Sequence, residues 1–330
     1  MEIGKQMLYL SEADERAIDL DINAVIDVLE EVHVARKEGR AQMPPKPGLR
    51  PVGKAGFVDG YPAFVEGTEY LGIKWLSGYF DNPSKGLPFI NGLIILNDVR
   101  TGVPLSVMSC GYLTALRTGG IHGVGLRRLV KPGAKTIGVV GCGLQARTHL
   151  MAAMASCKEI EEIFCWDVAA AGAERYAKEA EERYPGVKAY AAESVDEAVS
   201  KADVLIIGAP LMPDGSGRMI KAGLLKPGVT VAAVNGDFSF LTEALSEFDR
   251  VFVDDKEQYP VRKEAGMLST ELPEECGELA ELVQGKTPGR GSDEEKILIT
   301  TEGIAINDVS AAYIMYKAAL EQGIGVLLPL

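Results

Sequence analysis

The sequence predicts an α/β fold in which a doubly wound parallel sheet is joined to a second, α+β domain. From Lys135 onward, short apolar runs alternate with segments of helical period, the pattern of a parallel sheet with helices on both faces. A glycine-rich turn, Gly141-Cys142-Gly143-Leu144-Gln145-Ala146, stands between the first of those runs and a helical stretch. The preceding part of the chain instead reads as a helix, a group of strands and a further helix, so it builds a different domain. At 330 residues the chain exceeds the ~250–300 residues at which a single core stops growing.

Taken in order, Ser11 to Lys37 has helical periodicity, with Ile18, Ile22, Val25, Ile26, Leu29, Val32 and Ala35 on one apolar face. Met43-Pro44-Pro45-Lys46-Pro47-Gly48 forbids regular structure, and the chain turns there. Strands follow at Gly56 to Phe64, Tyr70 to Phe80 and Phe89 to Leu96. Asn97-Asp98-Val99-Arg100-Thr101-Gly102 has turn chemistry, and Val103 to Met108 returns as a hairpin strand. A helix from about Cys110 to Val130 leads into the alternating region.

There the expected strands are 136–140, 161–166, 187–190, 203–208, 229–234, 250–253 and 296–301, with helices near 144–156, 169–183, 193–201 and 304–322. Residues 259–293, with Pro260, Pro273 and Pro288, read as less regular. The expected division is 1–127 with 306–330 as one domain and 128–305 as the other. The N-terminal sheet has few helices to cover it and exposed edges that a second subunit could close, so a homodimer is expected.

The turn at Gly141 has the order that a dinucleotide site requires, in a Rossmann-type domain. Gly141 permits the tight turn, Gly143 lets the backbone approach a pyrophosphate, and Ala146 lets helix and strand pack closely. The helix N-terminus offers unpaired N–H groups and partial positive charge to the anion. Asp167, 21 residues beyond Ala146, ends the second strand where a carboxylate bonds the adenosine ribose. No cation lies between Asp167 and Gly172 to receive a 2′-phosphate, so NAD is preferred over NADP.

A net charge of −13 argues against nucleic acid or an anionic membrane as partner. Five scattered cysteines without paired spacing suit a reducing compartment; Cys142 reads as packing. The opening Met1-Glu2-Ile3-Gly4-Lys5 leads into polar sequence and no apolar run approaches ~18 residues, so the protein is read as cytoplasmic. His33, His122 and His149 have no companions at ligand spacing, and no metal site is expected. His33 reads as solvated, His122 as packed, and His149 as packing or capping.

Three places invite chemistry. Asp237, in Asn235-Gly236-Asp237 after an apolar strand, is either a group beside the nicotinamide or an N-cap for the helix that Leu241 begins. Lys74, within Tyr70-Leu71-Gly72-Ile73-Lys74-Trp75-Leu76, is either snorkelling at a sheet edge or partly buried and functional, and the pattern favours the edge. Arg117 precedes Thr118-Gly119-Gly120 in a helix, where glycines cost roughly 1 kcal/mol each against Ala. The glycines imply a close approach. Arg117 suits a substrate carboxylate or a surface ion pair.

The Lys74 strand, Leu113-Thr114-Ala115-Leu116-Arg117-Thr118, the Gly141 turn and Asn235-Gly236-Asp237 together resemble the ornithine cyclodeaminase and mu-crystallin family. The resemblance runs from Leu10-Ser11-Glu12-Ala13-Asp14 to Gly303-Ile304-Ala305-Ile306-Asn307-Asp308. It implies hydride chemistry at the α-carbon of an amino or imino acid. Arg117 then holds the substrate carboxylate, and Thr118 touches the cofactor with Gly141, Gly143, Leu144, Gln145, Ala146 and Asp167. Lys74 and Asp237 match the catalytic positions: Lys74 polarises the carboxylate or imine, and Asp237 serves as general base. The family often has Arg where Lys46 stands, which makes a second carboxylate contact a point charge. Asp59 matches an acid that contacts the distal amine in ornithine-using members, and Glu302 replaces an uncharged residue near the nicotinamide.

The first function implied is ornithine cyclodeamination, ornithine to proline plus ammonia, with no net NADH. The second is an NAD-dependent amino-acid dehydrogenase or cyclic imine (ketimine) reductase. A mu-crystallin-like binding protein is the third, and the retention of Lys74, Arg117 and Asp237 together disfavours it.

Overall fold

The structure, a computed structural model, describes residues 2–44, 47–51, 56–210 and 215–330. Its first strand, β1 (Gln6–Leu10), precedes α1 (Glu12–Ile18) and α2 (Ile22–Lys37). The single helix expected over Ser11 to Lys37 is thus two. Ser11 and Asp14 form a reciprocal capping box on α1, Asp19 ends it in the left-handed region (φ 44°), and Asp21 caps α2 by accepting the Asn23 N–H. An aspartate tolerates that conformation and offers a local acceptor, so periodicity continues across a break that it does not reveal. Short β2 (Ala41–Gln42) and β3 (Gly48–Leu49) follow, then β4 (Gly56–Val65), β5 (Tyr70–Tyr79), β6 (Ile90–Asp98), β7 (Pro104–Ser109) and α3 (Gly111–Leu129).

The alternating region holds β8 (Thr136–Val140), α4 (Leu144–Ser156), β9 (Glu162–Trp166), α5 (Ala170–Arg183), β10 (Lys188–Ala191), α6 (Val195–Lys201), β11 (Val204–Ile207) and β12 (Thr230–Ala233). After these come α7 (Thr242–Leu245), β13 (Arg250–Val253), α8 (Gln258–Glu264), β14 (Cys276–Glu278), α9 (Leu279–Val283) and β15 (Ile297–Thr300). The stretch read as irregular therefore holds two short helices and an edge strand. The sheet runs β10-β9-β8-β11-β12-β15-β13-β14, parallel throughout, and its order reverses between β8 and β11. That reversal is the switch point of a Rossmann-type sheet. β11, β12 and β15 are buried at every position, as central parallel strands covered on both faces must be. Each fully buried Val, Leu or Ile contributes roughly 1.5–3 kcal/mol.

The chain ends with α10 (Ala305–Gln322) and β16 (Val326–Pro329). These belong with the N-terminal elements: one unit is 1–117 with 303–330, the other 118–302. The division falls inside α3, ten residues before the 127/128 boundary expected from sequence. In the first unit the sheet runs β16-β1-β7-β6-β5-β4-β2, with β3 also on β4. α10 and α2 cover one face. β1 and β16, short and at the chain ends, lacked a legible pattern. They pair with each other antiparallel, and β1 joins β7 in parallel. His33, read as solvated, is buried instead, with Nε2 2.6 Å from Asn307 Oδ1 on α10. Among the described residues no helix is long and apolar enough to cross a membrane, and no cluster of acids, His or Cys could hold a metal.

The close approach implied by the glycines of α3 is to α4. A Cβ on Gly119 would lie 2.5 Å from the Thr148 carbonyl oxygen, which is backbone and cannot step aside. In a free helix Gly→Ala gains about 1 kcal/mol. Here overpacking, typically about 1–3 kcal/mol, outweighs it. Gly119→Ala should therefore destabilise the protein, read as a lower urea midpoint, and a higher midpoint would show that the contact does not constrain α4.

Candidate functional site

In the first unit, period two places Asp59 and Tyr61 of β4 and Gly72, Lys74 and Leu76 of β5 on one sheet face, with Lys74 directly opposite Tyr61. Lys74 is not at an edge. It lies in an inner strand and is 1% exposed. Its Nζ donates to Asp308 Oδ1 of α10 at 2.7 Å, and Arg117 Nε donates to the same oxygen at 2.8 Å. The Tyr61 ring centroid is 4.4 Å from Nζ. Burial pulls Lys74 down to about 8, against the opposing attraction of Asp308 and reinforced by Arg117. The unfolded chain keeps that proton to higher pH, so the cost of burying Lys74 fades as pH rises from about 8 toward 10.5. Removing one member of such a buried pair typically costs about 3–5 kcal/mol, because the other charge is left uncompensated.

Arg117 is held from another side by Gly303, where φ is +68° and a Cβ would collide with the guanidinium. Asp59 is nearly buried, and its Oδ1 accepts from Arg50 Nη1 at 2.6 Å. Lys46 lies outside the described residues.

In the second unit the turn after β8 is built by its glycines. Gly141 has φ +85°, and a Cβ there would lie 2.7 Å from Ala209 N. Gly143, the N-cap of α4, has nothing within 4 Å of a Cβ position, so the cradle in front of the helix N-terminus is open to an approaching group. Ala146 is fully buried, and a Cβ on Gly208 would meet its Cβ at 2.9 Å. Leu144 and Gln145 open the helix. Asp167 accepts the Cys142 N–H at 2.8 Å through Oδ2 and the Ala169 N–H at 2.9 Å through Oδ1, holding the turn against the end of β9. Arg147 Nη1 donates to the carbonyls of Cys142 and Gly143, and its Nε donates to Glu179. These residues fit a dinucleotide pyrophosphate.

Thr118 is buried, and its carbonyl lies 3.0 Å from His122 Nδ1. His149 Nδ1 faces the Gln145 carbonyl at 2.7 Å, so it carries a proton there, and its Nε2 lies 3.0 Å from His122 Nδ1. Both rings are fully buried, and burial pushes His122 below its ordinary value. The pair ties α3 to α4.

Beyond β12, Asp237 is 1% exposed. It does not cap a helix: α7 has Leu241 at its N-cap and no side-chain bond there. Its Oδ2 accepts the Ser269 N–H at 2.7 Å. Asp237 Oδ1, Asn235 Oδ1 and Thr300 Oγ1 are buried without a hydrogen-bond partner among the described residues. Three such atoms at the carboxyl ends of β12 and β15 mark a place prepared for polar contacts. Glu302 pairs with Arg262, and its N–H donates to Asp254 Oδ1 at 2.8 Å.

Asp308, which has no role in the motif that closes the family resemblance, joins Lys74 to Arg117. The available signal was the charge of Asp308 inside a helical run rich in small and apolar residues, Ala305, Ile306, Val309, Ala311 and Ala312.

A glycine cradle at the switch point of a parallel sheet, beside a separate α+β unit that buries a two-cation cluster, defines a two-unit dinucleotide-binding protein. The profile of the ornithine cyclodeaminase/mu-crystallin family matches residues 6–323, and the chain belongs to that family. It is 30% identical to N-((2S)-2-amino-2-carboxyethyl)-L-glutamate dehydrogenase of Staphylococcus aureus, over 99% of this chain and 100% of that protein. The solved Thermococcus litoralis Delta(1)-pyrroline-2-carboxylate reductase, in complex with NADH and L-proline, is similar at TM-score 0.84 and 29% identity, covering 97% of this chain and 99% of that one. An archaeal alanine dehydrogenase dimer with bound NAD is similar at TM-score 0.83 and 28% identity, covering 98% and 99%.

The two glycines of the turn should separate in their effects. Gly143→Ala meets no protein atom, so its melting temperature should stay within a degree or two of wild type while dinucleotide affinity, followed by NADH fluorescence, falls about tenfold or more. Gly141→Ala should lose stability as well. Unchanged NADH affinity in Gly143→Ala would remove the cradle from the cofactor site.

Proposed function

We propose that the protein is an NAD-dependent oxidoreductase acting at the α-carbon of an amino or imino acid whose side chain carries no positive charge. The buried cation pair Lys74 and Arg117, sharing Asp308, is the observation that carries the reading, since one substrate carboxylate neutralises the charge left over. The choice of dehydrogenase or imine reductase over ornithine cyclodeaminase is supported by the acids expected to meet a cationic side chain. Asp59 is paired with Arg50, and Glu302 with Arg262. The similar dehydrogenases and reductase point the same way.

When bound, NAD supplies the hydride acceptor or, reduced, the donor. The Gly141–Ala146 turn and the N-terminus of α4 hold its pyrophosphate, Asp167 its ribose, and Thr118 adds a contact from α3. Lys74 and Arg117 hold and polarise the substrate carboxylate or imine. Asp237, with one carboxylate oxygen fixed by Ser269 N–H and the other unpartnered, moves the proton at the amine or at water. All five cysteines are unpaired and buried, which supports a reducing, cytoplasmic setting.

A homodimer completes the reading. The sheet face away from α2 and α10 carries Leu71, Ile73 and Trp75 of β5 beside Leu93 and Ile95 of β6. Trp75 is 47% exposed and lies directly opposite Leu93, 45% exposed. A contiguous apolar face of this kind marks an interaction surface, and the similar alanine dehydrogenase is a dimer.

The test is incubation with NAD⁺ and a panel of L-amino acids, and with NADH plus cyclic imines or 2-oxo acids and ammonia, following NADH and ammonia in parallel. Uncharged substrates should change NADH stoichiometrically, and NADP should serve poorly. Ammonia from ornithine without NADH would instead establish the lyase. Asp237→Asn should keep NADH affinity and lose about 10²–10⁴ in turnover; full activity would exclude its role. Trp75→Glu should shift the sedimenting species from dimer to monomer, and an unaltered dimer would place the interface elsewhere.

A further inference from the structure

Asp308 is completely buried, and one of its oxygens receives both Lys74 Nζ and Arg117 Nε. The other, Oδ2, has no partner among the described residues. Two positive charges therefore stand against one negative in this cluster. The bond from Arg117 uses the inner nitrogen, leaving both terminal amino groups of the guanidinium uncommitted to Asp308. The bond from Lys74 leaves its remaining ammonium donors likewise.

Resting on the reading of Lys74 and Arg117 as the carboxylate site, we infer that Asp308 is a positioning residue, which aims the two cations as one clamp and sets its charge to match a single carboxylate. Without it, two like charges would face each other in a buried space, and the lysine, which unlike arginine can lose its proton, would yield. The groups facing Lys74 are Asp308 from α10, Arg117 from α3, Cys110 just before α3 and Tyr61 from β4. Burial raises the Cys110 thiol to about 11 and the Tyr61 phenol to about 12, so neither changes charge where Lys74 titrates. Asp308 thus holds the ammonium charged at neutral pH.

A purely structural role is the alternative, because α10 buries other polar groups: Asn307 meets His33, and Ser310 accepts from Tyr70 OH at 3.0 Å. Ser310→Ala removes one such bond without touching the clamp. The experiment measures the affinity of wild type, Asp308→Asn and Ser310→Ala for pyruvate, a plain monocarboxylate probe, in the presence of NADH between about pH 6 and pH 10, with circular dichroism as a check of folding. Ammonia is left out so that no turnover occurs.

Wild-type affinity should fall with a midpoint near pH 8. In Asp308→Asn that midpoint should move down by about one pH unit or more, while Ser310→Ala loses thermal stability and keeps the wild-type midpoint. An unmoved midpoint in folded Asp308→Asn, an equal displacement in Ser310→Ala, or no pyruvate binding by wild type overturns the inference. If Asp308→Asn does not fold, the same midpoint is read in Asp308→Ser, whose hydroxyl keeps a polar partner without charge. Failure of the whole amino-acid panel with the midpoint displaced would sink the oxidoreductase reading and leave the role of Asp308 standing.

Discussion

A single carboxylate oxygen gathers the buried cations of the first unit. Asp308 Oδ1 meets the ammonium of β5 and the guanidinium of α3, so the last long helix, an inner strand and the helix leading out of the unit converge on one atom. Charges this deep are tolerated only when each has a partner, because the loss of hydration is otherwise several kcal/mol per ion. The geometry around them follows. Gly72 lets Val309 of α10 come close to β5, and Gly303 leaves room for the Arg117 guanidinium. Of these two glycines, Gly303 stands where a Cβ would displace a charged group.

The second unit solves a different problem, the approach of a backbone to an anion. Gly141 takes a conformation that other residues rarely adopt, and Gly208 and Ala146 let the turns after β8 and β11 nest together. Asp167 and Arg147 then tie the turn from either side by bonds to its backbone. Further back, the histidine pair and Gly119 fix how α3 lies on α4. The acid at the end of β9 therefore has a structural task, holding the Cys142 N–H, beside the ribose contact proposed for it.

Pairing also bears on the substrate proposed. Asp59 and Glu302 look in sequence like free acids ready for a cationic group, and each is instead satisfied by an arginine. A carboxylate already bonded to Arg gains less from a second cation than a lone one does, so the arginines argue for an uncharged side chain. Asp237 is the opposite case. One of its oxygens is fixed by a backbone N–H and the other is buried without a partner among the described residues, which leaves an acceptor for the proton transfer proposed for it.

By itself the sequence determined the parallel sheet, the glycine turn, the limits of nearly every strand and helix from Gly56 to Val253 but not of the short elements between Gln258 and Val283, and the residue types able to bind a carboxylate and a dinucleotide. Those are local properties: periodicity, turn chemistry and spacing within a few tens of residues express themselves wherever the segment lies. Tertiary structure alone decided that Lys74 is buried rather than at an edge, that His33 bonds Asn307 across 274 positions, that Asp308 reaches back 234 to Lys74 and 191 to Arg117, and that β1 pairs with β16. Partners so remote leave no periodic trace, because what selects them is the shared exclusion of water where distant segments pack, and a charge entering that space must find its counter-charge wherever the fold has brought one.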